Sequence, residues 1–191
     1  MKIGIYSGSF NPIHSGHAML AEYILKNCDI DELWLMVTPQ NPLKQNIEMA
    51  DNYHRYEMAK IVAEENHLIK VSDFEFNLPQ PTYTYTTLCK LKEHYPEHEF
   101  ILIIGSDNWL VFDKWHKHEQ LIEKFKLLIY PRPGYNINEH ELPENITFLS
   151  SLPQMEISST EIRKYIKLNK NLSKYLPNKV INYIKQHKLY E

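Results

Sequence analysis

Two histidines, His14 and His17, stand three residues apart with Gly16 between them and Gly8 upstream. If a helix begins near His14, positions three apart share a face and both imidazoles point one way. The stretch Gly8-Ser9-Phe10-Asn11-Pro12-Ile13-His14-Ser15-Gly16-His17 follows a short apolar run at Ile3–Tyr6 and leads into a helical pattern. Gly8 and Gly16 let backbone come close to a ligand. The unpaired N–H groups of a starting helix, with its partial positive end, suit a phosphate. Two imidazoles above such an end stabilise negative charge on a transferring phosphoryl group, as neutral donors or as cations. Two other readings stay open. The pair could be ordinary surface or core histidines, or part of a metal site, although no carboxylate or cysteine is spaced obviously to complete one.

Three further clusters carry chemistry. Ile157-Ser158-Ser159-Thr160-Glu161-Ile162-Arg163 holds the Ser158…Glu161 signature of a capped helix start. Arg163 lies in its first turn, where a cation opposes the helix dipole, so an anionic ligand is one reason for it to be there. Hydroxyls, amide groups and Arg163 then form a second phosphate clamp. Ile104-Gly105-Ser106-Asp107 closes the most apolar run of the chain, and a carboxylate at that end of a strand accepts hydrogen bonds from a ribose or serves a turn. Lys44 and Arg132 are loop cations, and Trp115, near Phe112 and Trp109, stacks on a planar ligand or packs in the core.

The elements that must position these residues follow from periodicity. Buried strands are expected at Ile3–Tyr6, Leu33–Val37, Ile69–Val71, Phe100–Ile104, Lys126–Tyr130 and Thr147–Leu149. Helical spacing starts at Gly16, with Met19, Leu20, Tyr23, Ile24 and Cys28 on one face. It returns at Tyr53–Glu65, with Tyr56, Ala59, Ile61 and Val62 toward the core, at Tyr85–Tyr95, and around 118–124, 158–168 and 177–187. Prolines break residues 39–42, 79–81 and 131–133. Alternating strands and helices predict an α/β fold: an open, doubly wound, mostly parallel sheet of Rossmann type with helices on both faces. One domain over 1–191 is expected, with a small C-terminal helical part from about 157.

Composition narrows the function classes. The 191 residues carry a formal net charge of −3, with 43% hydrophobic and 24% charged residues. A nucleic-acid coat is normally basic and interleaves aromatics with cations, so no nucleic-acid partner is expected. No apolar run approaches the roughly 20 residues of a membrane span, and no secretory leader is evident. A cytoplasmic protein is the expectation. Cys28 and Cys89 read as buried, reduced thiols.

Taken in order along the chain, these motifs resemble the HxGH nucleotidyltransferase superfamily and, within it, the bacterial nicotinate-nucleotide adenylyltransferases. The likeness rests on GSFNPIHSGH at 8–17, PQNPLK at 39–44, PTYTYTTL at 81–88, IIGSDNWLVFDKW at 103–115, YPRPGY at 130–135 and ISSTEIR at 157–163. It implies transfer of the adenylyl group of ATP to nicotinate mononucleotide in NAD biosynthesis, releasing pyrophosphate. His14, His17 and Arg163 would be catalytic. Gly8, Ser9, Phe10, Gly105, Asp107, Ile157, Ser158, Ser159 and Thr160 would bind ATP. Lys44, Thr84, Tyr85, Trp115 and Arg132 would bind the mononucleotide, with backbone near Thr84 and Tyr85 meeting the pyridine carboxylate. Mg²⁺ would arrive on the ATP phosphates, with no metal ligands supplied by the protein. Two departures stand out: the loop before Lys44 is shorter than the histidine-bearing loop of many relatives, and Asn11 replaces a frequent aspartate. The rivals are the same chemistry on nicotinamide mononucleotide or phosphopantetheine, and a non-catalytic nucleotide-binding protein.

Overall fold

A computed structural model describes residues 1–39, 49–153 and 157–191. Lys44 lies outside the described residues. Six strands, β1 (Lys2–Gly8), β2 (Glu32–Val37), β3 (Ile69–Ser72), β4 (Glu99–Gly105), β5 (Lys126–Tyr130) and β6 (Ile146–Phe148), form one sheet in the order β3-β2-β1-β4-β5-β6. Every neighbouring pair is parallel. The sheet is therefore wholly parallel, and its order reverses between β1 and β4.

Side chains of β1 and β4 alternate between two cores, as a pleat of period two requires. Ile3 and Ile5, with Phe100, Leu102 and Ile104, enter the core built with helix α3 (Thr84–His94) and helix α5 (His118–Lys124). Tyr6, Ile101 and Ile103 enter the opposite core, with α1 (Ser15–Asn27), α2 (Asn52–Ala63), α6 (Ser159–Lys167) and α7 (Asn178–Gln186). A one-turn helix, α4 (Ser106–Trp109), follows β4 directly. Ile162, Val180 and Ile184 bury in the same cluster as Leu20, Ile24 and Leu35, so α6 and α7 share the main core.

Some sequence expectations shift. On α2 the buried residues are Arg55, Met58, Ala59 and Val62, while Tyr56 and Ile61 are only half-buried flanks. That stripe follows the i, i+3, i+4, i+7 spacing with an arginine in its first place. Cys28 and Cys89 are free and half-buried, and Cys28 caps α1 rather than sitting within it. Among the described residues, no helix is long and apolar enough to cross a membrane.

Candidate active site

A cavity of about 290 Å³ opens at the carboxyl ends of β1 and β4, where the strand order reverses. In open parallel sheets that crevice is where ligands bind. Its wall includes Gly8, Ser9, Phe10, His14 and His17 after β1, and Gly105 and Asp107 after β4. Thr84 comes from the start of α3, Trp115 from the segment before α5, Arg132 from the loop after β5, and Ser158, Ser159, Thr160 and Arg163 from the start of α6. Residues separated by most of the chain thus share one chamber.

The histidine pair forms because α1 begins where the sequence places it. His14 is its N-cap in extended conformation, and the His14 backbone N–H donates to His17 Nδ1 at 3.1 Å. The two ring centroids are 3.7 Å apart. With Nδ1 accepting, neutral His17 carries its proton on Nε2. His14 is only 4% exposed, and its Nδ1 has no hydrogen-bond partner among the described residues. Burial, with a smaller contribution from the Arg132 charge, lowers its pKa to about 3. It is a neutral imidazole at ordinary pH.

The α6 start is bound to the same turn. Glu161 N donates to Ser158 Oγ at 3.2 Å, and Ser158 Oγ donates to Glu161 Oε2 at 2.9 Å, so the expected cap forms with its return bond on the hydroxyl. Ser159 Oγ donates to Pro12 O at 2.9 Å. Arg163 Nη1 donates to Asn11 O at 2.7 Å, and Nη2 to Thr160 Oγ1 at 3.3 Å. Asn11, 2% exposed, accepts from Ala50 N through Oδ1 at 3.1 Å. The asparagine amide is therefore part of the turn's scaffold.

Arg132 and Asp107 pair in the cavity wall at 3.5 Å, and Arg132 N donates to Ser106 Oγ at 2.9 Å. Trp115 lies against Phe112, ring centroids 5.2 Å apart, which lies in turn against Trp109 at 5.1 Å. Its indole Nε1 is buried without a hydrogen-bond partner among the described residues. Trp115 therefore both packs and faces the chamber.

Packing around several expected residues differs from the sequence reading. The space at Gly16 is taken by protein, not ligand: a Cβ there would stand 2.8 Å from His14 Nδ1 and 3.0 Å from Ile157 Cγ2. Gly8 lines the cavity, and a Cβ there would stand 3.0 Å from the Phe10 ring. Ile157 is absent from the main cavity wall and lines a smaller pocket of about 30 Å³ beneath His14 and His17. The Tyr85 side chain also lies outside the wall, which leaves the role expected of its backbone untouched. Successive helical residues diverge by about 100°, so Thr84 faces the cavity while the Tyr85 hydroxyl accepts from Lys124 at 2.9 Å.

Residues missed in the sequence also line or support the site. Glu75, 4% exposed, lies in the wall and accepts from Thr87 Oγ1 at 2.7 Å. Burial pushes its pKa up, against the hydrogen bonds from Thr87 and Thr82. His116 and Tyr83 lie against each other in the wall, rings tilted by 35° with centroids 4.6 Å apart. Arg55 lies fully buried beneath the Ser9 turn. Only Arg55 had a signal, its place on the apolar stripe of α2. Among the described residues no group of three or more His, Cys, Asp or Glu could hold a metal ion.

Comparison with known proteins places this geometry. The cytidylyltransferase-like family profile matches residues 5–165. A probable nicotinate-nucleotide adenylyltransferase of Bacteroides thetaiotaomicron is 47% identical over 187 residues, spanning 98% of this chain and 92% of the relative. One of Flavobacterium johnsoniae is 43% identical over 198 residues, covering all of both chains. The solved nicotinic acid mononucleotide adenylyltransferase of Plasmodium falciparum, complexed with NaAD, superposes with a TM-score of 0.81 at 26% identity, covering 99% of this chain and 97% of that one.

Proposed function

The chain belongs to the cytidylyltransferase-like family and, within it, to the nicotinate-nucleotide adenylyltransferases, and we propose how its residues carry adenylyl transfer from ATP to nicotinate mononucleotide. The observation that carries the reading is the shared chamber: two imidazoles, the α6 start and Arg163 open onto the same space as Trp115 and the α3 start.

The mononucleotide phosphate is already an anionic nucleophile, so the reaction needs no general base. One of its oxygens forms a bond to the α-phosphorus of ATP. The bond from that phosphorus to the β-phosphate bridging oxygen breaks, and its electron pair leaves with pyrophosphate. The protein must bring two anions into line and hold the charge that grows on the leaving group. His17 Nε2–H donates to the reacting phosphate. His14, kept neutral by burial, offers a hydrogen bond without the strain of a buried cation. Ser158, Ser159, Thr160 and Arg163 grip the β- and γ-phosphates with hydroxyls, helix N–H groups and a guanidinium. Asp107 and Gly105 serve the ribose and adenylate. Trp115 stacks on the pyridine ring, Thr84 at the α3 start meets its carboxylate, and Arg132 serves the mononucleotide phosphate. The same role falls to Lys44.

Mg²⁺ carried by the ATP phosphates would neutralise part of their charge, as such sites favour substrate phosphates over a dedicated protein cage. The same reading makes the protein a cytoplasmic enzyme with small-molecule partners. The test is direct: purified protein is mixed with MgATP and, in parallel, nicotinate or nicotinamide mononucleotide, and pyrophosphate is measured. Preference for the acid is expected. Equal or faster use of the amide would overturn the substrate assignment, and no release with either would overturn the activity.

A further inference from the structure

Arg55 is completely buried. A guanidinium withdrawn from water is costly unless each donor is satisfied. Here Nε donates to Ala50 O at 3.0 Å, Nη1 to Ser9 O at 2.5 Å and Thr38 O at 2.7 Å, and Nη2 to Pro39 O at 3.0 Å and Asn52 Oδ1 at 2.5 Å. All five partners are neutral oxygens. The side chain ties together the turn after β1, the end of β2 and the approach to α2, and its charge is balanced by dipoles rather than by a bonded carboxylate.

The Ser9 bond has a directional consequence. The described cis peptides are Asn11–Pro12 and Gln80–Pro81, so the Ser9–Phe10 peptide is trans. In a trans peptide the carbonyl and the next N–H point opposite ways. Drawing the Ser9 carbonyl onto Arg55 turns the Phe10 N–H away from it. Phe10 holds a left-handed φ of 45°, unusual for a bulky residue, and both residues line the cavity.

We propose that Arg55 is a positioning residue for adenylyl transfer. It fixes the Ser9–Phe10 peptide so that the Phe10 N–H meets the reacting phosphate, and it places a positive charge behind that peptide which the incoming triphosphate neutralises. This rests on the function proposed above. Arg55→Lys keeps the charge and loses the five-bond fork; Asn52→Ala removes one acceptor and keeps the arginine.

The experiment compares steady-state rates, normalised to the folded fraction from thermal melts, with the Phe10 amide resonance of ¹⁵N-labelled protein titrated with α,β-methylene ATP. In Arg55→Lys, kcat per folded molecule should fall roughly 100-fold, the worth of one oriented donor, while KM for the mononucleotide holds. In Asn52→Ala the fall should be roughly tenfold, about one hydrogen bond to a charged group, and this variant carries the test if the lysine variant does not fold. The Phe10 amide should shift with the analogue in wild type and not in Arg55→Lys. Lower melting with an unchanged kcat per folded molecule, or an equal amide shift in both proteins, would overturn the proposal. A wild-type protein that releases no pyrophosphate but shows the amide shift refutes the assigned reaction and supports the positioning.

Discussion

His14 and His17 stack with ring centroids 3.7 Å apart, tilted by 32°, and are joined through the His14 backbone N–H and His17 Nδ1. The bond fixes which nitrogen of His17 is free to donate, and one helix start thereby sets the position and the tautomer of a single ring. The neighbour, buried and neutral, adds no repelling charge.

Replacing His17 by alanine removes that donor from the phosphate side of the cavity. Turnover should fall by roughly 10² to 10³, with little change in melting temperature because the ring is only half-buried. Steady-state rates and a thermal melt on the same preparation check both halves. A variant that turns over like wild type takes His17 out of the catalytic account.

His14 should shape stability in acid. Its pKa is about 3 in the folded protein against an ordinary 6.5. Between those values the unfolded chain binds a proton that the folded chain refuses, so stability rises with pH from about 3 to 6.5 and is flat above. The contribution is fully present above 6.5 and is lost as pH falls toward 3. Denaturant titrations from acid to neutral pH should show a flatter acid limb in His14→Gln, by an order of a few kcal/mol at the low end. Identical limbs would contradict a buried neutral His14.

Gly16→Ala tests the packing around the pair. The new methyl would press on His14 Nδ1 and Ile157 at once, with overpacking costing about 1–3 kcal/mol. Turnover should drop at least roughly tenfold as His14 moves, since small misplacements of catalytic groups are costly. Gly134→Ala is the control. Its φ of 83° strains an alanine, but nothing lies within 4 Å of the added carbon. It should cost about 1–2 kcal/mol of stability and leave kcat alone.

Trp115→Leu should raise KM for the mononucleotide roughly fivefold, the value of about 1 kcal/mol of aromatic contact, and leave KM for ATP near its original value. Separate substrate titrations decide it. A shift on the ATP side instead would move the indole to the adenine end of the cavity.

Much of this arrangement could be read from residue spacing, because the strands are continuous apolar runs that only a doubly covered parallel sheet buries. The Lys126–Tyr130 strand and the helix at 118–124 were found at their observed bounds. The residues that line the chamber were legible where a motif tied them to an element's end, as at Gly8, Gly105 and Ser158. Those that hold the wall from behind were not. Glu75 lies in a short 3-10 turn between two phenylalanines, where no periodicity marks a buried carboxylate. The packing at Gly16 is not legible, because a glycine's missing Cβ gives no sign that His14 and Ile157 fill the space. For Tyr85 a single step of helix, about 100°, turns the side chain away from the chamber, finer than loop-to-helix boundaries can be read.

The bonds from Ser159 to Pro12 and from Arg163 to Asn11 span 147 and 152 positions of chain. A ribosome that has threaded out the whole sheet has still not delivered the partners that fasten the first turn. A nascent chain paused before α6 emerges would lack both that fastening and the part of the main core that α6 and α7 supply, so competence for catalysis arrives late and all at once during synthesis.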